Sequence, residues 1–202
     1  MFDENLYIEL DRAAVQAYNA RICGTKAAEN YWLHEEMGPH PYDGDIRTAR
    51  VILLLANPGY DSTSTLSDHR YRAEGWPMSS LHSGAAKGMR DWVAPKVAGL
   101  VERFGAQHIA KHVCMAQIHP WASANFDEKF DCPSKAVIAA LVRQAHERGA
   151  IVVAGRQYGY WDEVCGVTLS RAFFRNPTLN HSNIESRTPG IWPAICRTLE
   201  AA

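Results

Sequence analysis

Carboxamide and basic side chains follow four apolar segments of the chain, each at the point where the apolar run ends. These polar exits are Asn57–Gly59, Gln117–Pro120, Gly155–Gln157 and Asn176–Thr178. Carboxamides donate and accept hydrogen bonds but are neutral, so they are unsuited to strong general-base chemistry. Ligands of open α/β sheets bind beyond the carboxyl ends of the strands. If the apolar segments are parallel strands, the four exits crowd one rim of the sheet and predict a ligand site there.

Each of these polar residues also has a purely structural interpretation. Asn57 and Asn176 can cap the turns that they begin, because Asn commonly hydrogen-bonds the backbone two residues on. His119 stands before Pro120, which is typical of a turn, and His181 is compatible with surface packing as well as with an acid near the rim. The residues alone leave both interpretations open.

Short apolar runs alternate with amphipathic segments along the chain. The run Val51–Ala56 is too short for a helix and too uniformly apolar for a half-exposed strand, which is typical of the middle of a parallel sheet. Further strands are predicted at His112–Ile118, Ala150–Ala154 and Leu169–Arg175. Helices are predicted at about residues 3–21, 26–36, 83–104, 133–149, 158–164 and 190–199, with Pro95 marking a break or a fresh first turn. The alternation predicts an α/β fold, a three-layer αβα sandwich with a central four-stranded parallel sheet.

The chain of 202 residues suits a single domain, 1–202. Residues 1–45 are predicted as an N-terminal helical lead-in and residues 46–202 as the αβα core. The polar segment 61–83 is predicted to be a functional loop, since loops of that length in compact domains are usually functional or disordered.

Composition and charge limit the classes of function. Hydrophobic residues make up 47% and charged residues 21%, and no run approaches the roughly 18 apolar residues of a membrane span. The acidic N-terminus and five scattered cysteines without a C-x-x-C pair predict a cytoplasmic protein with reduced thiols. A net charge of −1 gives no global attraction to nucleic acid, so DNA binding would need a local basic patch. We expect a monomer.

Several motifs for cofactors and metals are absent from the sequence. G-x-G-x-x-G, the P-loop and G-x-S-x-G do not occur, so no motif indicates a dinucleotide enzyme, a P-loop NTPase or a serine hydrolase. His108 and His112 stand four residues apart, but no Glu follows His108 as in a zinc-protease helix. Neither a metal nor a cofactor is predicted.

The strand exits resemble those of the uracil-DNA glycosylase superfamily. The resemblance rests on a strand ending in Asn57–Gly59, a strand ending at Gln117 and a late Asn-Pro-Thr-Leu turn that begins at Asn176; it spans about residues 50–182. The mismatch-specific branch is the most similar, with a first motif Gly-x-Asn-Pro-Gly and a last motif that begins Asn-Pro-Ser. This resemblance implies a glycosylase-like fold, DNA as the partner and flipping of a base out of the strand.

By the same resemblance, the expected activity is hydrolysis of the N-glycosidic bond of uracil or another damaged base. Asn57 would orient the attacking water, and Asn176 would stabilise the leaving base with a hydrogen bond. Gln117 would read the Watson–Crick edge of the base. Pro58 and Gly59 would let the backbone approach the substrate closely.

The chain also departs from the family's pattern. Leu55 stands where the mismatch-specific branch has Gly, and Leu179, Asn180 and His181 stand where that branch has Gly, Leu and Ser. Leu179 is the predicted wedge that fills the gap left by a flipped base. Tyr60, Tyr71 and Trp76 are all candidates for the aromatic side chain that stacks on the base, and Trp76 is the predicted one. The predicted site therefore has Asn57 and Asn176 as catalytic residues and Pro58, Gly59, Tyr60, Trp76, Gln117, His119, Leu179 and His181 as substrate-binding residues.

Other functions remain open from the sequence, including whether the chain is an enzyme at all. One alternative is a non-catalytic nucleobase or nucleic-acid binding module on the same fold, which the near-zero net charge favours. Another is an unrelated small-molecule enzyme on a flavodoxin-like sheet, since one architecture hosts many chemistries. For the glycosylase-like function, the predicted partner is single- or double-stranded DNA with a damaged base.

Overall fold

A mixed sheet of five short strands lies at the centre of the fold. The computed structural model describes residues 3–60, 62, 71–165, 173–175, 183–184 and 190–202. Within these ranges the strands are β1 Tyr42–Asp43, β2 Val51–Leu54, β3 Val113–Ala116, β4 Ile151–Ala154 and β5 Phe173–Arg175. Their order is β1-β3-β2-β4-β5, in which β1 is antiparallel to β3 and all other neighbours are parallel. The carboxyl ends of β2 to β5 therefore share one edge of the sheet.

Seven α-helices accompany these strands in the described part of the chain. They are α1 Glu4–Ile22, α2 Ala28–Tyr31, α3 Lys87–Phe104, α4 Ala106–His112, α5 Ser134–Glu147, α6 Tyr158–Cys165 and α7 Ile191–Glu200. α3, α4 and α7 pack on one face of the sheet, and α5 and α6 pack on the other. The architecture is therefore α/β, with helices on both faces of the sheet.

The alternation of side chains along β2 explains its uniformly apolar sequence. Val51 and Leu53 belong to the core on the α3 side, whereas Ile52 and Leu54 belong to the core on the α5 side. All four side chains are fully buried. Successive residues of a strand point to opposite faces, so a strand covered by helices on both faces must be apolar at every position.

A buried carboxylate in α1 ties that helix to the rest of the fold. Asp11 accepts hydrogen bonds from Trp121 Nε1 at 2.8 Å, from Ser134 N at 2.9 Å and from Ser134 Oγ at 2.5 Å. Ser134 is the first residue of α5, whose terminal N–H groups have no partner within the helix. A side chain remote in sequence therefore caps α5 and docks α1 at the same time.

The predicted α/β class is confirmed, with corrections of detail. The sheet has five strands instead of four. The additional strand, β1, lies in the segment predicted as the helical lead-in and pairs with β3, and its two residues are too few to show a periodic pattern. α3 continues through Pro95 without a break, and α4 forms where no helix is predicted. Residues 26–36 hold only the short α2 and part of one 3-10 turn. In the described ranges, no helix has both the length and the apolar character needed to cross a bilayer.

Candidate ligand-binding site

A cavity of about 160 Å³ lies beyond the carboxyl ends of β2 and β3. Its wall is built from residues 37–43, the turn 58–60, the first turns of α3, and the chain that follows β3. Most of the lining is apolar, and Met37, Pro58 and Met89 contribute to it. An apolar cavity of about 150 Å³ takes up a benzene-sized ring. The cavity is therefore large enough for a single planar ring.

Gln117 supplies a carboxamide to this cavity. It follows β3 directly, and its backbone N–H donates to Pro41 O at 2.9 Å, so its position is an extension of the pairing with β1. The side chain is only 4% exposed, and among the described residues its Oε1 has no hydrogen-bond partner. A buried polar atom left without a partner costs about 1–3 kcal/mol. A ligand with an N–H group would remove that cost.

Asp43 supplies a carboxylate to the same cavity from the edge strand β1. Its Oδ1 accepts from Ser79 N at 2.9 Å, and its Oδ2 accepts from the Ser80 hydroxyl. Burial raises the pKa of Asp43, while the bond from Ser80 and the Arg72 guanidinium act in the opposite direction. The Ser80 N–H also donates to this carboxylate, which leaves about one of its roughly four acceptor positions unused.

Tyr60 lines the cavity next to the Asn57–Gly59 turn. The His34 ring stacks on one face of Tyr60, with centroids 3.4 Å apart and planes at 5°. Tyr60 N also donates to Ser123 O at 3.2 Å. These contacts hold the phenol ring in one orientation at the wall, as a preformed ligand site requires.

Trp92 of α3 is the second large aromatic side chain of the wall. Its indole nitrogen lies only 3.5 Å from the position that a Cβ on Gly59 would occupy, so a glycine leaves room between the turn and the helix. The ammonium of Lys96 lies 3.9 Å from the centroid of the Trp92 ring and donates to Trp92 O at 2.6 Å. Burial, with a smaller contribution from Arg156, lowers the pKa of Lys96 to about 8.

Asn57 is held by the turn that it begins and is not among the residues that line the cavity. Its Nδ2 lies 3.0 Å from Pro58 O, 3.1 Å from Ser123 O and 2.9 Å from Ser123 Oγ. A parallel bridge between Gly59 and Ser123 extends this pairing beyond the end of β2. The amide nitrogen of Asn57 therefore bonds mainly to Ser123, 66 residues on, and joins the turn to the chain that follows β3.

His119 lies in the protein interior instead of in the cavity wall. It is 1% exposed, stacks on Phe126 at 5.5 Å between centroids and meets Phe130 edge-on at 5.0 Å. Its Nδ1 accepts from Trp121 N at 3.3 Å. Burial, assisted by the positive charge of Lys135, lowers the pKa of His119 to about 3. The prediction of His119 as a substrate-binding residue is corrected: the ring is a neutral packing element.

Two of the three aromatic residues considered for stacking also lie elsewhere. The Tyr71 hydroxyl donates to Gly84 O, and its ring stacks on His82. Trp76 meets His82 edge-on and packs against the core on the α3 side. Neither Tyr71 nor Trp76, the predicted stacking aromatic, lines the cavity, whereas Tyr60 and Trp92 do.

Of the ten predicted site residues, Asn176, Leu179 and His181 lie outside the described residues. Pro58, Gly59, Tyr60 and Gln117 meet at the cavity as predicted.

Sequence reasoning missed Asp43 and Trp92. Trp92 stands three residues after Met89, which also lines the cavity, so the helical spacing of these two side chains could have revealed it. No sequence signal marks Asp43.

Comparisons with known proteins give no relative: no family model, no curated protein and no solved structure matches the chain. Within the described ranges, no group of three or more His, Cys, Asp or Glu side chains is placed to hold a metal ion. The fold and the cavity are those of an α/β protein with a ring-sized cavity at the carboxyl edge of its sheet.

Proposed function

We propose that the chain is a DNA glycosylase-like protein that accepts one flipped base in this cavity and hydrolyses its N-glycosidic bond. The observation that carries the proposal is the Gln117 carboxamide, buried with an unsatisfied oxygen in a cavity the size of a single ring. The hydrogen-bonding edge of a base offers the partner that this carboxamide oxygen lacks. The resemblance to the uracil-DNA glycosylase superfamily supplies the reaction, and the proposed fold is the αβα sandwich of that superfamily.

The lining supports separate roles for the residues around the ring. Tyr60 and Trp92 provide aromatic surface against which a base can pack. Pro58 and Gly59 place the backbone close to the ring, and Gln117 reads its edge. These contacts would bind and orient the base before its N-glycosidic bond is broken.

The hydrolytic step is assigned to Asn57 and Asn176. In the proposal, Asn57 orients the water through its amide oxygen while its nitrogen stays bonded to Ser123. Asn176 donates to the base anion and Leu179 acts as the wedge, and these two roles come from the resemblance alone. His181 is the candidate acid near the rim.

A second candidate function, a base-binding module without turnover, is favoured by the contacts of Asn57. Its amide nitrogen is bonded to Ser123, and the residue does not line the cavity. A side chain held in that way serves a binding protein as well as an enzyme. The basic side chains near the site are also partly committed, since Lys87 pairs with Asp91 and Arg72 donates to Tyr42 O at 3.1 Å.

The test uses duplex and single-stranded oligonucleotides that carry one uracil, hypoxanthine or ethenocytosine. After incubation with the protein, alkali cleaves the strand wherever a base has been removed. An enzyme gives strand breaks, and Asn57→Ala should reduce the rate about a hundredfold or more because the water loses its orienting group. Asn30→Ala is the matched control, since it removes a carboxamide whose bond to Asn125 lies on the exposed surface.

The same variants separate the two candidate functions. A binding module gives no cleavage with any base, yet it binds free bases and loses that binding in Gln117→Met. Absence of both cleavage and base binding in the wild-type protein would remove both candidates. DNA as the partner and a cytoplasmic location belong to the proposal and are tested by salt-sensitive oligonucleotide binding and by localisation in cells.

A further inference from the structure

Two hydrogen-bond acceptors from neighbouring strands face the same small cavity. Asp43 pairs with Met115 across β1 and β3, and Gln117 lies two residues beyond Met115. Paired residues and residues two apart share one face of a sheet, so both side chains project to the α3 side. Such diagonal neighbours are about 7 Å apart, near enough for both to reach one ring.

The two acceptors differ in how far the surrounding protein satisfies them. Gln117 Oε1 has no partner within the described residues, whereas Asp43 accepts from Ser79 N, from the Ser80 hydroxyl and from the Ser80 N–H. A donor on the ligand would therefore satisfy Gln117 Oε1. A ligand that brings a carbonyl oxygen against Asp43 places two acceptors face to face.

We propose that the cavity selects a pyrimidine that carries an exocyclic amino group, of the cytosine type, over uracil. The inference rests on the proposed function and names the class of base that it accepts. One hydrogen of the amino group bonds Asp43, and the other is available to Gln117 Oε1. A carboxylate that accepts from the cytosine amino group is an established mode of base recognition.

Uracil cannot make the same pair of bonds. When it is linked through N1, as in DNA, it has a single N–H that stands between two carbonyl oxygens. It can therefore pair with the Gln117 carboxamide, which donates as well as accepts, but the carbonyl oxygen that it turns towards the ionised Asp43 meets an acceptor. A hydrogen bond to a charged group is worth about 1.5–3 kcal/mol, which corresponds to a preference of about tenfold or more for the amino-bearing ring.

The experiment compares binding of 1-methylcytosine and 1-methyluracil by calorimetry at mildly alkaline pH. Methylation at N1 removes the extra donor of the free base, and the alkaline pH favours the ionised form of Asp43, because burial raises its pKa. The wild-type protein should bind 1-methylcytosine about tenfold or more tightly than 1-methyluracil. Asp43→Asn adds a donor in place of an acceptor, so the preference should fall to about one or reverse.

Three further variants keep the outcome decisive. Gln117→Met retains the volume of the side chain but removes both the acceptor and the donors of the carboxamide, so it should weaken binding of both ligands. If Asp43→Asn fails to fold, Asp43→Ser, whose hydroxyl donates as well as accepts, makes the same comparison of the two ligands. Asn30→Ala should leave the preference unchanged.

Equal or tighter binding of 1-methyluracil by the wild-type protein overturns the selectivity and leaves the proposed glycosylase function standing. An unchanged preference in Asp43→Asn also overturns it. Binding of neither base overturns both the selectivity and the base site.

Discussion

The buried ring of His119 should make the protein lose stability in acid. The ring is 1% exposed, and among the described residues its Nε2 has no hydrogen-bond partner. Burial lowers the pKa of His119 to about 3, against about 6.5 in an unfolded chain. The unfolded chain therefore binds the extra proton, so the contribution to stability is complete above about pH 6.5 and is lost as the pH falls towards 3.

The expected size follows from these two pKa values. Between about pH 7.5 and 4.5, this one group should reduce the free energy of unfolding by about 2–3 kcal/mol. His119→Asn keeps an acceptor near the position of Nδ1 but does not titrate in this range. The variant should be less stable at both pH values because of the smaller side chain, but its loss between them should be smaller than that of the wild-type protein by that amount.

Urea unfolding followed by circular dichroism at both pH values measures this difference. Each protein is compared with itself, so the effect of other titrating groups cancels when the two losses are subtracted. An equal loss in both proteins would refute the reasoning, as would His119 ring resonances that titrate near pH 6.5 in the folded protein by NMR. Either result would mean that the ring is accessible to water, as the site role of His119 requires.

Two further changes test the packing that positions the site. Asp11→Ala should lower the free energy of unfolding in urea titrations by about 1–3 kcal/mol for each buried donor that it leaves unpaired, such as Trp121 Nε1; a total loss below about 1 kcal/mol would contradict the role of Asp11. Gly44→Ala should destabilise the protein far more than the matched Gly24→Ala, although both glycines have positive φ (113° and 73°). A Cβ on Gly44 would lie 2.6 Å from Val113 O whereas one on Gly24 meets open space, so similar melting temperatures would argue against this close approach to β3.

The elements with strong local patterns could be predicted from the sequence. Val51–Leu54 forms the central strand as predicted, because an apolar run of that length has no other stable place than between two layers. α1 and α5 follow their amphipathic spacing. Gln117 directly follows a predicted strand, and this position in the sequence is enough to predict that it lies at the rim of the sheet.

The full set of residues that line the cavity could not be predicted in the same way. Asp43 lies in a two-residue strand, too short for a periodic signal, and it reaches the site only because β1 pairs with β3. Trp92 belongs to a helix that the sequence does predict, but the sequence does not say which loop that helix faces. His119 and Trp76 stand near predicted motifs, yet packing turns both away from the cavity.

By itself, then, the sequence determined the α/β class, the main buried strands and the polar turns at their ends. These depend on periodicity and turn chemistry, which act between residues a few positions apart. Only the tertiary structure decided that Asp43 and Gln117 face one cavity, that Trp92 forms its wall, and that the Asn57 amide bonds Ser123. Those contacts join segments tens of residues apart, and they depend on strand order and on competition for burial, which no local pattern encodes.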